Sequence, residues 1–230
     1  MTTNKGATTN KAATAWKDDA SEPGRRLELT AEQNGAVTDR WEAARAAHKA
    51  LDAVMEGVRQ ALADSHGAKL EGKLHRLKGL KAFRRKAAME LEDRVPLETV
   101  VRKVQDLNRY TLVFDVKSYT EGVRHTYALL HERGYVIVPG SEQNTWEDPV
   151  HKGFRAVWQQ PDGTVKFEIA FHTPDSFRVK TENHLLYDLY RSSRLRPPGE
   201  EAENTSESHE DAALVVQSRR YSEIPAKGSK

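Results

Sequence analysis

The chain has no cysteine among its 230 residues. Disulfides, thiolate zinc sites and a cysteine nucleophile are therefore excluded. This leaves the compartment open, because cytosolic and secreted proteins alike can do without cysteine. Net charge is also scarce: 36 Lys and Arg face 34 Asp and Glu, a formal +2. A protein that coats duplex nucleic acid carries a larger basic excess, so overall charge does not point to such a partner. No apolar run is long enough to span a bilayer, so no membrane partner is expected. The opening MTTNKGATTNKAATAW lacks the apolar stretch of a secretory signal. The expectation is a protein that stays inside the cell, or one written in a processed or unconventional form. A Walker A loop, a dinucleotide-binding glycine fingerprint, an HExxH helix and the His-Asp dipeptide of metal-dependent phosphohydrolases are all missing.

What is present reads as one α+β domain over residues 29–222, between flexible tails at 1–28 and 223–230. Residues 1 to 28 are rich in Thr, Asn, Ala and Gly, too polar to repay the entropy of ordering. Thr30 with Gln33 three residues on predicts a helix start. Leu51, Val54, Met55, Val58 and Leu62 then recur at helical spacing as one apolar stripe. A second helix is expected after Gly67, with Leu70, Leu74 and Leu77 on one face, and a short one after Pro96. Tyr110–Phe114 has the β-branched and aromatic composition of a buried strand. A helix ending at Gly134, a strand at Tyr135–Val138, a hairpin around Pro161-Asp162-Gly163 and a helix from Pro174 follow. Pro197-Pro198-Gly199 ends that helix, and Asp211 to Tyr221 is read as a last short one. The order predicts a mixed sheet of about five strands surrounded by helices.

Three features carry chemistry. Lys73, Arg76, Lys78, Lys81, Arg84, Arg85 and Lys86 form a basic stretch with His75 among them. A charge run is ordinarily a solvated helix face. Here the carboxylates that would compensate it at i,i+4 are missing, so the cluster calls for an anionic partner such as a polyphosphate or a nucleic-acid backbone. Two acids come next. Asp106 precedes the first long strand, and Glu168 lies inside the second strand of the hairpin, where acids are disfavoured. A lone strand acid usually faces solvent. Paired across a sheet near cations, the two become candidates for divalent-metal binding or general-base work. Finally, Phe154 beside Lys152 and Arg155, after Gly153, offers a flat ring next to cations, which suits a nucleobase carrying phosphates.

Together these elements resemble the synthetase domain of the RelA/SpoT superfamily between Leu74 and Arg191. The family's Arg-x-Lys element with a later basic residue reads Arg76-Leu77-Lys78 with Lys86. Its strand-opening aspartate matches Asp106, its Gly-Tyr-Arg-Ser element Gly153-Phe154-Arg155-Ala156, and its Glu-x-Gln-x-Arg-Thr strand Glu168-Ile169-Ala170-Phe171-His172-Thr173. Its later histidine helix resembles Asn183-His184-Leu185-Leu186-Tyr187. The arginine usual five residues after the aspartate is Thr111, with Arg109 two residues earlier on the same strand face; the histidine after the glycine element is Trp158. This variant pattern is similar to the stand-alone secreted pyrophosphokinases of actinobacteria and to the toxin-like branch. The resemblance implies ATP as donor, a purine nucleotide as acceptor, Mg²⁺ as cofactor, a secreted or cytoplasmic location, no required oligomer, and synthesis without hydrolysis. It also leaves open tRNA 3′ ends or adenine alarmones as toxin-type targets. The residue roles it implies are Asp106 and Glu168 on Mg²⁺, with Glu168 as base. Lys78, Lys86 and Lys81 or Arg84 hold donor phosphates, and Arg76 with Arg109 stacks on the donor adenine. Phe154 stacks on the acceptor base, with Lys152, Arg155 and His172 near its phosphates. A non-enzymatic nucleic-acid-binding module is the remaining alternative.

Overall fold

A computed structural model describes residues 14–18, 27–148 and 151–193. The elements in order are β1 (Trp16–Lys17), β2 (Glu28–Leu29), α1 (Ala31–His66), β3 (Lys69–Glu71), α2 (Leu80–Glu92), α3 (Leu97–Lys103), β4 (Asn108–Val113), α4 (Tyr119–Glu132), β5 (Val136–Ile137), β6 (Gln143–Asn144), β7 (Phe154–Gln159), β8 (Lys166–His172) and α5 (Pro174–Ser193). A single 3-10 turn covers Lys73–His75. No described helix is long and apolar enough to cross a membrane.

The described residues divide into two compact units. The described parts of Met1–Ala46 join Lys78–Val104 in one, and Ala47–Leu77 joins the described residues after Gln105 in the other. The long helix α1 supplies residues to both. Its start is the expected reciprocal cap: Gln33 N–H donates to Thr30 Oγ1 at 3.2 Å, and Thr30 N–H to Gln33 Oε1 at 2.9 Å.

In the first unit, β1 pairs with β2, so Trp16 and Lys17 are strand residues inside the stretch read as a tail. Asp18, following them, is buried and receives Arg85 from α2, with Nη2 to Oδ1 at 3.0 Å. Lys81 Nζ lies 3.7 Å from the same carboxylate. α2 packs on α3 and on β2, and the short helix expected after Pro96 is α3, with Pro96 itself at the N-cap position.

The second unit carries the main sheet, six strands in the order β3-β4-β8-β7-β5, with β6 added to β7. β4 and β8 run parallel, and the other neighbours run antiparallel, a mixed sheet as expected. One face is apolar. Tyr110, Leu112, Ala156, Trp158, Phe167, Ile169 and Phe171 form a single core with Leu51, Met55, Val58 and Leu62 of α1 and Leu130 of α4. Each large side chain so buried contributes roughly 1.5–3 kcal/mol. The period of two then turns Arg109, Thr111, Lys166 and Glu168 to the opposite face, all half-buried.

The helix expected over Leu70–Leu77 is absent. Leu70 is a strand residue opposite Leu112, and Leu74 is 93% exposed on the 3-10 turn. Gly67 and Gly72 adopt φ of +62° and +66°, which ends α1 and breaks any helical continuation, while the open edge of β4 offers backbone partners to Lys69–Glu71. The reading of 211–221 as a helix and of Pro197–Gly199 as a stop lies outside the described residues.

Candidate active site

The open face of the sheet in the second unit centres on Glu168. Its side chain keeps 20% exposure. β4 and β7 flank it, so Arg109 stands directly opposite it on one side and Val157 on the other. Arg155, two residues before Val157, shares that face and brings Nη1 to 3.9 Å from Glu168 Oε2. Arg155 is itself aimed by β6: register pairs it with Gln143, whose Oε1 accepts from Nε at 2.8 Å and from Nη2. Asp106 lies three residues before Arg109, half-buried, at the same end of the parallel β4–β8 pair as Glu168.

Arg109 ties this face to the basic segment before it. Its backbone N–H donates to Arg76 O at 2.8 Å, and its Nε to His75 O at 3.3 Å. Arg76 is held in turn by Asp52 of α1, Nη1 to Oδ1 at 2.8 Å, and the same oxygen accepts from Tyr110 Oη at 2.9 Å. Burial, with the Asp52 charge second, pushes the Tyr110 hydroxyl well above its ordinary value, so it stays a donor. The basic stretch is therefore less naked than its sequence implies. Asp52 serves Arg76, Asp18 serves Lys81 and Arg85, and Arg84 donates to Thr38 Oγ1. The missing carboxylates come from positions far along the chain, which an i,i+4 search does not reach.

Other expected site residues are placed differently. Lys78, Lys81, Arg84 and Lys86 belong to the first compact unit, and their assignment to donor phosphates rests on the sequence resemblance. Lys152 is buried, its ammonium donating to Trp146 O at 2.8 Å inside its own loop. The ammonium is thus engaged within the loop, where the sequence reading put it near acceptor phosphates. Phe154 pairs with Phe171 and packs near that ring and Tyr127, at centroid distances of 5.9 and 6.4 Å. Strand alternation thus puts it on the core face, opposite Glu168, and not beside it as an acceptor platform. His172 is also buried, and burial, followed by the Lys180 charge, lowers its pKa to about 3. It is a neutral imidazole with Nδ1 3.0 Å from Ser176 Oγ and not a cationic phosphate ligand.

Three residues escaped the sequence reading: Gln143, Asp52 and Lys180. Lys180, on α5, is half-buried, and its Nζ lies 3.4 Å from His172 Nε2. Desolvation lowers its pKa first; the nearby Glu168 raises it, and Arg109 and Arg155 lower it further. Nothing local marks any of the three, since each is defined by a partner on another element.

Among the described residues, no three His, Asp or Glu side chains gather to hold a metal by themselves. Magnesium is ordinarily bound through one or two carboxylates together with substrate phosphates, so the donor chemistry of Asp106 and Glu168 fits it.

This arrangement of strands and helices has known counterparts. Over 79% of this chain and 88% of the other, it superposes on the small alarmone synthetase 1 of Bacillus subtilis bound to its product pppGpp, with TM-score 0.52 and 18% identity. The chain has the small alarmone synthetase fold. A second structure, smu.1046c from Streptococcus mutans UA159, matches with TM-score 0.53 and 15% identity over 80% of this chain and 88% of that one. No protein-family model matches the chain, and no curated protein does.

Proposed function

We propose that this protein transfers the β,γ-pyrophosphate of ATP to the 3′-hydroxyl of a purine nucleotide (GTP, GDP, ATP or ADP) and releases AMP. The observation that carries this reading is Glu168: a partly buried acid on the open face of a synthetase-fold sheet, between Arg109 and Arg155. The acceptor's 3′ oxygen attacks the β-phosphorus of ATP. The bond from that phosphorus to the α,β-bridging oxygen breaks, and the oxygen leaves with AMP. The proton of the hydroxyl passes to the Glu168 carboxylate. Arg109 and Arg155 balance charge on the phosphates and hold the reactants in line, which is most of what such a transfer needs from a protein. Asp106 and Glu168 would hold Mg²⁺, which when bound neutralises phosphate charge.

The test is product analysis by thin-layer chromatography after incubation with labelled ATP, Mg²⁺ and each of GTP, GDP, ADP, ATP and tRNA. A 3′-pyrophosphorylated nucleotide with stoichiometric AMP supports the reading. Label on tRNA alone would move the activity to the toxin-type target. Glu168→Gln should keep the circular-dichroism spectrum and lose AMP release; normal AMP release by this variant would overturn the reading.

A further inference from the structure

Lys180 has no part in the reading made from sequence, yet it is set into the face that carries Glu168. It rises from α5, and its Nζ lies 3.4 Å from Nε2 of His172, which strand alternation puts on the same face of β8 as Glu168. Arg109, Arg155 and Lys180 thus bring three cations to the face of the sheet that carries one carboxylate. An ammonium placed among like charges, with much of its hydration removed, is costly unless an anion completes the site.

Its support is built in detail. Among the described residues, its hydrogen-bond partner is the Nε2 of His172, at 3.4 Å. That nitrogen can accept only in the tautomer with the proton on Nδ1, which faces Ser176 Oγ at 3.0 Å. Ser176 is fully buried and is fixed in turn by Thr173, whose N–H donates to Ser176 Oγ at 3.0 Å. Gly153 makes the room: a Cβ there would fall 2.8 Å from His172 Cε1. The partner is therefore a neutral ring locked in one orientation. It directs the ammonium without cancelling its charge, whereas a carboxylate partner would cancel it.

We propose that Lys180 is a phosphate ligand of this site, its ammonium contacting non-bridging oxygens of the nucleotide's pyrophosphoryl group beside Glu168, with His172 as the residue that positions it. The placement on a nucleotide rests on the proposed function; the anion contact does not. A charge-assisted contact of this kind is worth on the order of a tenfold change in affinity or more.

The experiment measures inorganic tripolyphosphate binding by calorimetry for the full chain, Lys180→Met, Lys180→Arg and His172→Gln. Thermal unfolding of each confirms the fold. Lys180→Met is expected to weaken binding about tenfold without loss of melting temperature. Lys180→Arg is expected to retain most of the affinity, and His172→Gln to fall between. Equal affinity for wild type and Lys180→Met, or no binding by the wild type, overturns the proposal. Pyrophosphate transfer from ATP is assayed in parallel. If the wild type binds tripolyphosphate through Lys180 but transfers nothing, the reading of function fails while the anion contact stands. If transfer proceeds and Lys180→Met leaves it and the binding unchanged, the reading stands and the role of Lys180 fails.

Discussion

Arg109 and Glu168 face each other across the one parallel strand pair of the main sheet, at matching register positions of β4 and β8. The pairing is set by backbone hydrogen bonds, so neither side chain needs a flexible loop to hold it in place. A cation fixed beside the acid is a preorganised charge, and preorganised donors aimed at developing charge are among the larger contributors to rate. Arg109→Gln is expected to lower kcat/KM for pyrophosphate transfer by about a hundredfold while the melting temperature changes little. Steady-state kinetics with ATP varied at saturating acceptor will check it.

Tyr110 donates to Asp52 from within the core, and Asp52 also holds Arg76. Tyr110→Phe removes the donor without removing the ring. The expected cost is about 1–2 kcal/mol in urea unfolding, with an unchanged m-value.

Gly153 leaves no space for a side chain. An added Cβ would lie 2.8 Å from His172 Cε1 and 3.1 Å from Phe171 O. The imidazole is held by Ser176 and cannot swing away freely. Gly153→Ala should destabilise by about 1–3 kcal/mol. In combination with His172→Ala the penalty should be less than the sum of the two, since the ring that clashes is gone; a double-mutant cycle by chemical denaturation reads this coupling.

The buried, neutral His172 predicts a pH dependence with a definite sign. Its folded pKa is depressed to about 3, so between the ordinary histidine value and that point only the unfolded chain takes up the proton. Stability from this residue is complete above about pH 6.5 and is lost as pH falls below it, at about 1.4 kcal/mol per unit. Urea unfolding at pH 7.5 and pH 5 should show the wild type losing about 2 kcal/mol more than His172→Gln.

In the first compact unit, Asp18 is the buried anion shared by Arg85 and Lys81. Asp18→Ala leaves the partly buried Arg85 guanidinium without that carboxylate. A loss of about 3 kcal/mol is expected in thermal or chemical unfolding. A neutral outcome would mean that the β1–β2 pair contributes little to stability.

The sequence by itself determined whatever follows from local rules. The cap at Thr30, the stripe from Leu51 to Leu62, the strand at Tyr110 and the hairpin turn at Gly163 are all legible from spacing and composition, because helix and strand periods act over a few residues. Where two local signals competed, sequence reading failed. The leucines at 70, 74 and 77 keep helical spacing, but the positive φ of Gly67 and Gly72 and the free edge of β4 made the segment a strand and a turn. Only the tertiary structure decided which side chains share a face. Parallel pairing set Arg109 against Glu168, alternation sent Phe154 to the core, and the docking of α5 brought Lys180 to His172. The physical reason is that these contacts join residues far apart in the chain. Their energy comes from burial and from charges meeting at low dielectric, and neither leaves a periodic mark in the sequence.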